Sequence, residues 1–390
     1  MLYGLGVTIG AGIYVLVGLA ADRAGMHAPL AFVGAALVMA FSAASFAELG
    51  TRMPVSASEA AYVQAAFSRK WLSLAIGLLV IAAATISAAT ISVGSVGYLK
   101  VFLDLPDRWL IVGVVVTMGA IACLSTAQSV TVAGIMTLIE VGGLVLIIVA
   151  GLAAGTGVVT RLPEIWPASS DLAAWIGISG TTLVAVFAFI GFEHLVNISE
   201  EMKDPTRTLP RALFLTLGIT ALVYALIVWI AVVAVPPQEL AGSSAPLALV
   251  FERLTGMPLI WMSMIAVVAT LNGIIVHMIM ISRVIYGIAE QGQLPRLLTR
   301  LNRTTGTPLL ATLIGIVLVL FLALAVPLAG LADLTARFTL AIFSIVNLSL
   351  IVIKSREPTA PPGVFICPIW VPTGGRLSSL ALLGLDLHVN

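Results

Sequence analysis

Long apolar runs alternate with short polar breaks along this chain. The runs lie near residues 1–20, 28–47, 72–99, 109–127, 130–155, 173–199, 212–235, 258–289, 308–329 and 333–353. Most approach the roughly 20 residues that a helix needs to cross hydrocarbon. They lack the short alternating pattern of a membrane β-barrel. The pattern predicts ten spanning segments and a weak eleventh near 377–386. Composition agrees. Hydrophobic residues make up 60% of the 390 and charged residues 9%, against about 25% charged in a soluble domain. The expected class is an all-α integral membrane protein surrounded by lipid.

Charge placement orients the segments. With the N-terminus in the cytoplasm, the inner loops hold Arg52, Arg69, Lys70, Lys203, Arg207, Arg211, Arg283, Arg296, Arg300, Arg303, Lys354 and Arg356. The outer loops hold Arg23, Lys100, Arg108, Arg161, Arg253 and Arg337. The inner side carries twice as many, which predicts a cytoplasmic-membrane protein with its N-terminus inside. The net charge of +1 implies no nucleic-acid partner. Cys123 and Cys367 form no disulfide framework or zinc spacing. No metal or other cofactor is expected. The first run has no basic flank and a spanning length, so it does not read as a cleavable signal peptide. It begins almost at Met1, which points to a shortened start or a truncated gene product.

Two segments weaken themselves. Segment 1 reads TIGAGIYVLVG over residues 8–18, with Gly10-Ala11-Gly12 at its middle. Glycine is worse than alanine in a helix by about 1 kcal/mol. Segment 6 reads VFAFIGFEHLVNISEE over residues 186–201 and is interrupted at Gly191. Segment 1 opens a first set of five segments and segment 6 a second. An odd number per set inverts the second set. Paired interruptions at matching places in inverted halves point to a transporter binding site. The division expected is 1–155, 173–353 and a tail at 354–390 with a partial eleventh helix.

A helix broken at mid-membrane exposes N–H groups on one side of the break and C=O groups on the other. Such backbone is tolerated where it lines a cavity. The outer half of segment 1 starts near Gly12, and its N–H groups suit a carboxylate. The outer half of segment 6 ends near Val186 to Phe189, and its carbonyls suit an ammonium. A molecule carrying both charges close together is an α-amino acid. The expected substrate contacts are Ile9, Gly10, Ala11, Gly12, Phe187, Ala188, Phe189 and Gly191, with Phe187 and Phe189 as a lid. The competing reading gives these glycines to helix packing and the phenylalanines to the core.

YGLGVTIGAGIYVLVG (3–18), FAELGTRMPVSASEAAYVQAAF (46–67), FAFIGFEHLVNISEEMKDPTRTLPRA (187–212) and SRVIYGIAEQGQLPRLL (282–298) together resemble the amino acid–polyamine–organocation superfamily of permeases. The resemblance covers most of residues 1–375. It implies the five-plus-five inverted-repeat fold of the leucine-transporter type, with segments 1 and 6 broken. It also implies secondary transport of an amino acid or related amine. Members of this superfamily usually carry an N-terminal tail and two further C-terminal helices, where this sequence has only a weak eleventh run.

Ionisable residues at membrane depth cost at least about 2.5–3.5 kcal/mol and need a reason. Glu140 lies ten residues from Val130, roughly 15 Å deep, at the level of the segment 1 break. Proton-coupled relatives often place a lysine in this part of segment 5. The glutamate here is read as a proton carrier or an aid to binding a cation, with a structural, hydrogen-bonded glutamate as the alternative. Glu193 and His194 follow the segment 6 break as gate or relay. Relatives often have an acidic residue in place of His194. Asn272 on segment 8 sits deep enough to border the site. His277 and Asn197 read as structural. Residues 82–94 are rich in small side chains, for packing or for substrate room. Glu200, Glu201 and Lys203 are candidates for ion pairs at an inner gate.

No catalytic motif appears, so no enzyme is expected, and no filter repeat marks a channel. The reading is an amino acid permease, proton-coupled or exchanging, with small or apolar amino acids ahead of polyamines. A transport-inactive remnant or partner-dependent subunit is the rival. The sequence leaves oligomeric state open.

Overall fold

The computed structural model describes residues 2–54, 58–124, 130–155, 157–197, 199, 202–357 and 363–389. Segment 1 is two helices, α1 (Leu2–Ile9) and α2 (Ala11–Ala24). Segment 2 is α3 (Ala28–Arg52), followed by a short helix α4 (Ser58–Phe67). Segments 3, 4 and 5 are α5 (Lys70–Leu99), α6 (Asp107–Leu124) and α7 (Val130–Ala153). Segment 6 is again divided, into α8 (Leu172–Phe189) and α9 (His194–Asn197). Segment 7 is α10 (Pro205–Ala234), then two short helices α11 (Pro237–Gly242) and α12 (Pro246–Thr255). Segments 8, 9 and 10 are α13 (Ile260–Glu290), α14 (Leu309–Ala325) and α15 (Leu328–Arg356). The chain closes with α16 (Trp370–Val389).

The longest helices, α5, α10, α13 and α15, run 29 to 31 residues. At 1.5 Å per residue each exceeds a hydrocarbon core of about 30 Å. The fold is the all-α five-plus-five inverted repeat. The largest helix contacts include α3 on α10, α5 on α13 and α2 on α8. Each pairs a segment with the one five places later. The broken helices thus lie inside, walled by α5, α7, α13 and α15.

The α7 helix shows how the bundle selects its faces. Thr137, Glu140, Leu144 and Ile147 are buried at helical spacing. Leu138, Val145, Leu146, Val149 and Leu152 between them are exposed, as suits a helix with one face to lipid. The last helix is longer than its hydropathy suggested, because residues 373–376 read Thr-Gly-Gly-Arg. Those glycines serve packing. A Cβ at Gly375 would stand 2.7 Å from Asn347 Oδ1, and one at Gly374 3.3 Å from Phe41. Trp370 then meets Phe41 edge-on at 6.2 Å.

One end of the bundle gathers Arg52, Lys203, Arg207 and Lys354 and is called the basic end below. There the fully buried Glu48 carboxylate accepts from Arg52 and Lys354, each at 2.8 Å, and from the Cys367 N–H at 2.9 Å. Burial, and then the Glu48 carboxylate, push the Cys367 thiol up to about 12. A thiol so held stays protonated and unreactive.

Candidate substrate site between two broken helices

The first break is one residue long. Gly10 takes φ −44° and ψ −143°, between the end of α1 and the start of α2. The first N–H groups of α2 have no intrahelical acceptor. On the other side of the break, the Thr8 carbonyl accepts from the Tyr224 hydroxyl at 2.8 Å.

The second break is longer. The Ile190 N–H donates to Phe187 O at 3.2 Å instead of continuing the helix. Gly191 has φ +127°, a conformation that side chains other than glycine rarely adopt. Its N–H donates to Glu193 Oε2 at 2.8 Å. The carboxylate therefore caps its own turn before α9 begins.

The two breaks face each other at backbone distance. A Cβ at Gly12 would stand 2.9 Å from Ala188 Cα, and one at Gly191 2.6 Å from the Val7 oxygen. A small cavity lies between them. Its walls are Val7, Thr8, Gly10, Ala11 and Gly12 from segment 1, and Phe187, Ala188 and Ile190 from segment 6. Ser87 and Ile91 of α5 and Gly273 and His277 of α13 complete it.

Of the residues expected to touch substrate, Gly10, Ala11, Gly12, Phe187 and Ala188 line this cavity. Ile9 is fully buried in the core and lies outside the lining. Phe189 points elsewhere: its ring packs on Tyr224 at 5.3 Å, so of the two phenylalanines only Phe187 reaches the cavity. Gly191 holds the turn against α1 and is not part of the wall. The glycines therefore serve packing and backbone exposure together.

Glu140 reaches the first break from α7. Its Oε1 accepts from Asn272 Nδ2 at 2.9 Å, while Oε2 is buried with no hydrogen-bond partner among the described residues. A Cβ on Gly10 would stand 4.0 Å from that oxygen. Tyr14 donates to the Glu140 carbonyl at 2.8 Å, and Tyr98 to the Tyr14 carbonyl at 2.6 Å. Asn272 and Glu140 thus form one buried unit, anchored by tyrosines from α2 and α5.

Glu193 and His194 lie in a second small cavity, toward the basic end. His277 and Glu59 also line it. The His194 and His277 rings meet edge-on at 6.3 Å. Glu200 and Glu201 fall outside the described residues, as does the Asn197 side chain.

Several wall residues escape a reading of the sequence. Ser87 lies in the small-residue stretch 82–94, which offers no clue to which positions face inward. Gly273 is one residue from Asn272, a signal that could have found it. The bidentate pair of Arg23 on α2 with Asp333 on α15, both bonds 2.9 Å, joins residues far apart in sequence. It ties α2, the second half of the broken segment, to α15 at the end opposite the basic one. Among the described residues, no group of three or more His, Cys, Asp or Glu side chains is placed to hold a metal.

Two broken helices that meet inside a membrane bundle are the pattern of a membrane carrier. The chain belongs to the amino acid permease family, whose sequence profile matches residues 2–384. It is 27% identical to the branched-chain amino acid permease BcaP of Bacillus subtilis, across all of this chain and 86% of that protein. It is 29% identical to the vacuolar cationic amino acid transporter 4 of Arabidopsis thaliana, across 92% of this chain and 63% of that protein. An uncharacterized transporter of Mycobacterium tuberculosis, Rv1999c, is 29% identical over 91% of this chain and 79% of its own length.

Proposed function

We propose that this permease carries a small or apolar α-amino acid through the cavity between its two breaks. The cavity itself carries the reading, because it brings the free N–H groups of α2 against the carbonyl ends of α1 and α8. The substrate carboxylate sits on the N–H groups of Ala11 and Gly12, where the helix dipole favours an anion. The ammonium sits on the carbonyls opposite. Ile91, Phe187 and Ile190 surround the side chain, and among the described residues no acidic one lines this cavity to read a cationic side chain. BcaP, a relative with a branched-chain substrate in its name, fits that wall.

Glu140 is the proton carrier in this reading. Its unpartnered oxygen beside Gly10 takes a proton, and substrate binding closes the bundle around it. The basic end faces the cytoplasm and the chain lies in the cytoplasmic membrane. The Arg23–Asp333 pair closes the outer side while substrate is enclosed. It must part to admit substrate.

A thermal-shift screen of the purified protein against the twenty amino acids and common amines tests the substrate class. Stabilisation by leucine, isoleucine, valine or alanine is expected, and stabilisation by polyamines alone removes the reading. Orientation is tested with single cysteines at Lys203 and Ser169 and a membrane-impermeant thiol reagent on whole cells. Labelling at Ser169 and protection at Lys203 are expected, with little background from the buried Cys367.

A further inference from the structure

A third cavity lies at the end opposite the basic one, between α2, α5 and the turn from α11 to α12. Tyr14 and Gly18 line it from α2, Gly97 and Tyr98 from α5, and Ser244 and Pro246 from the turn. This end of α11 and the turn sit directly on the two helices. A Cβ at Gly97 would collide with the Ser244 oxygen, and one at Gly18 would stand 3.1 Å from the Leu240 oxygen. The missing side chains let the turn come down to backbone distance.

One hydroxyl ties these parts together. Tyr98 is fully buried near the end of α5. Its O–H donates to the Tyr14 carbonyl at 2.6 Å, and its oxygen accepts the Leu247 N–H at 3.4 Å. Leu247 is in the first turn of α12, where N–H groups have no intrahelical acceptor. Tyr14 stands two residues past Gly12, in the first turn of α2. Its own hydroxyl donates to the Glu140 carbonyl of α7 at 2.8 Å. The start of α2 is therefore gripped from α7 and, through Tyr98, from α12. We propose that Tyr98 is a positioning residue for transport. Its hydroxyl couples closure of the α11–α12 turn over the third cavity to the placement of the α2 N–H groups on the substrate carboxylate.

A phenol suits this place because its one oxygen donates and accepts at once. With the turn down, the Tyr14 carbonyl and the Leu247 N–H share that oxygen. With the turn lifted, the N–H meets water entering the cavity. Substrate on the α2 N–H groups fixes the first turn of α2 and so favours the arrangement that Tyr98 grips. By linkage, closing the turn raises substrate affinity by the same factor. The coupling rests on the amino acid reading of the first cavity. The tie between turn and helix does not, so the two readings can fail separately.

The test is the rate at which a thiol reagent labels single cysteines in the purified full chain, in a Cys123→Ala, Cys367→Ala background. Val96→Cys reports on the third cavity and Ala84→Cys on the basic-end cavity, and both positions are buried. Tyr98→Phe keeps the ring but leaves the buried Leu247 N–H without its acceptor while the turn is down. Without ligand it should speed labelling at Val96→Cys about fivefold and leave Ala84→Cys unchanged or slower. L-leucine should slow labelling at Val96→Cys in the parent, and should need about fivefold more to do so in the variant. Gly97→Ala lifts the same turn by contact and should also speed labelling at Val96→Cys, which keeps the test decisive if Tyr98→Phe does not fold. Equal ligand-free rates in the parent and in either variant overturn the proposal. So does faster labelling at both cysteines in Tyr98→Phe, the mark of a bundle merely loosened. A leucine effect of equal strength in parent and variant overturns the coupling to the substrate site. If leucine slows labelling in neither and gives the parent no thermal shift, the apolar amino acid reading falls, and the ligand-free rates still decide the tie.

Discussion

The two interruptions solve the same problem in different ways. The break in segment 1 is a single residue whose φ is negative, and no side chain caps the helix that follows it. The break in segment 6 spans four residues, Ile190 to Glu193, and satisfies part of itself through Gly191 N–H and the Glu193 carboxylate. One is an open socket and the other a braced wall. The difference shows why glycine at a break has no single meaning. Gly10 opens a helix, Gly12 admits a neighbouring backbone, and Gly191 does both under a φ of +127°.

The comparison breaks most visibly at Gly191. Valine there must adopt a positive φ, at a cost of about 1–3 kcal/mol, and its Cβ meets the Val7 oxygen at 2.6 Å. Gly191→Val should fail to give a monodisperse protein in detergent. Gly10→Ala should remain folded, because its nearest new contact is the Gly6 oxygen at 3.2 Å. Equal yields of the two by size-exclusion chromatography would erase the distinction drawn here.

Next in size is Gly12→Val. Its Cβ would press on Ala188 Cα at 2.9 Å and drive the two breaks apart. The variant should insert and stay folded yet lose detectable leucine binding in the thermal-shift assay. Gly12→Ala should fall between parent and valine. Because Gly12 is also a packing residue, the graded pair is more informative than valine alone. Near-normal binding by both would mean that the site does not need the breaks in contact.

A third effect separates coupling from binding. Glu140→Gln keeps the shape and the bond with Asn272 but cannot ionise. It should retain leucine binding and exchange and lose accumulation driven by an inward proton gradient in vesicles. A strict sodium requirement in the parent, or unchanged pH-driven accumulation in the variant, removes Glu140 from that role.

The breaks were legible in the sequence because a glycine inside an apolar run conflicts with the helix around it. Depth counting also placed Glu140 at the level of the first break, where the structure puts its carboxylate beside Gly10. Side-chain direction was not legible. Phe187 and Phe189 are two residues apart on a helix and point to different neighbours, one to the cavity and one to Tyr224. The cavity-facing places of Ser87 and of His277, which reads as structural in the sequence, were hidden for a related reason. In a helix enclosed by others, apolar residues occupy every face, so hydropathy carries little record of which face meets a cavity. The Arg23–Asp333 pair and the packing of Gly375 on Asn347 depend on contacts between distant segments. No local pattern encodes those.

The smallest effect expected concerns the brace in segment 6. Glu193 Oε2 accepts the Gly191 N–H at 2.8 Å inside a buried turn. Truncation to alanine leaves that N–H without its acceptor, and a buried donor so orphaned costs about 1–3 kcal/mol. Glutamine offers an amide oxygen in the same place, so Glu193→Gln should lie within about 1 kcal/mol of the parent. The two variants therefore separate a structural cap from a titrating gate. If the cap dominates, thermal unfolding in detergent should rank the parent and glutamine together above alanine. Uptake by the glutamine variant should then track the parent across pH. If the charge matters for gating, the glutamine variant should be as stable as the parent but altered in its pH profile. A glutamine variant as unstable as alanine would show that the ionised carboxylate itself holds the turn. The second break would then depend on charge where the first depends on backbone alone.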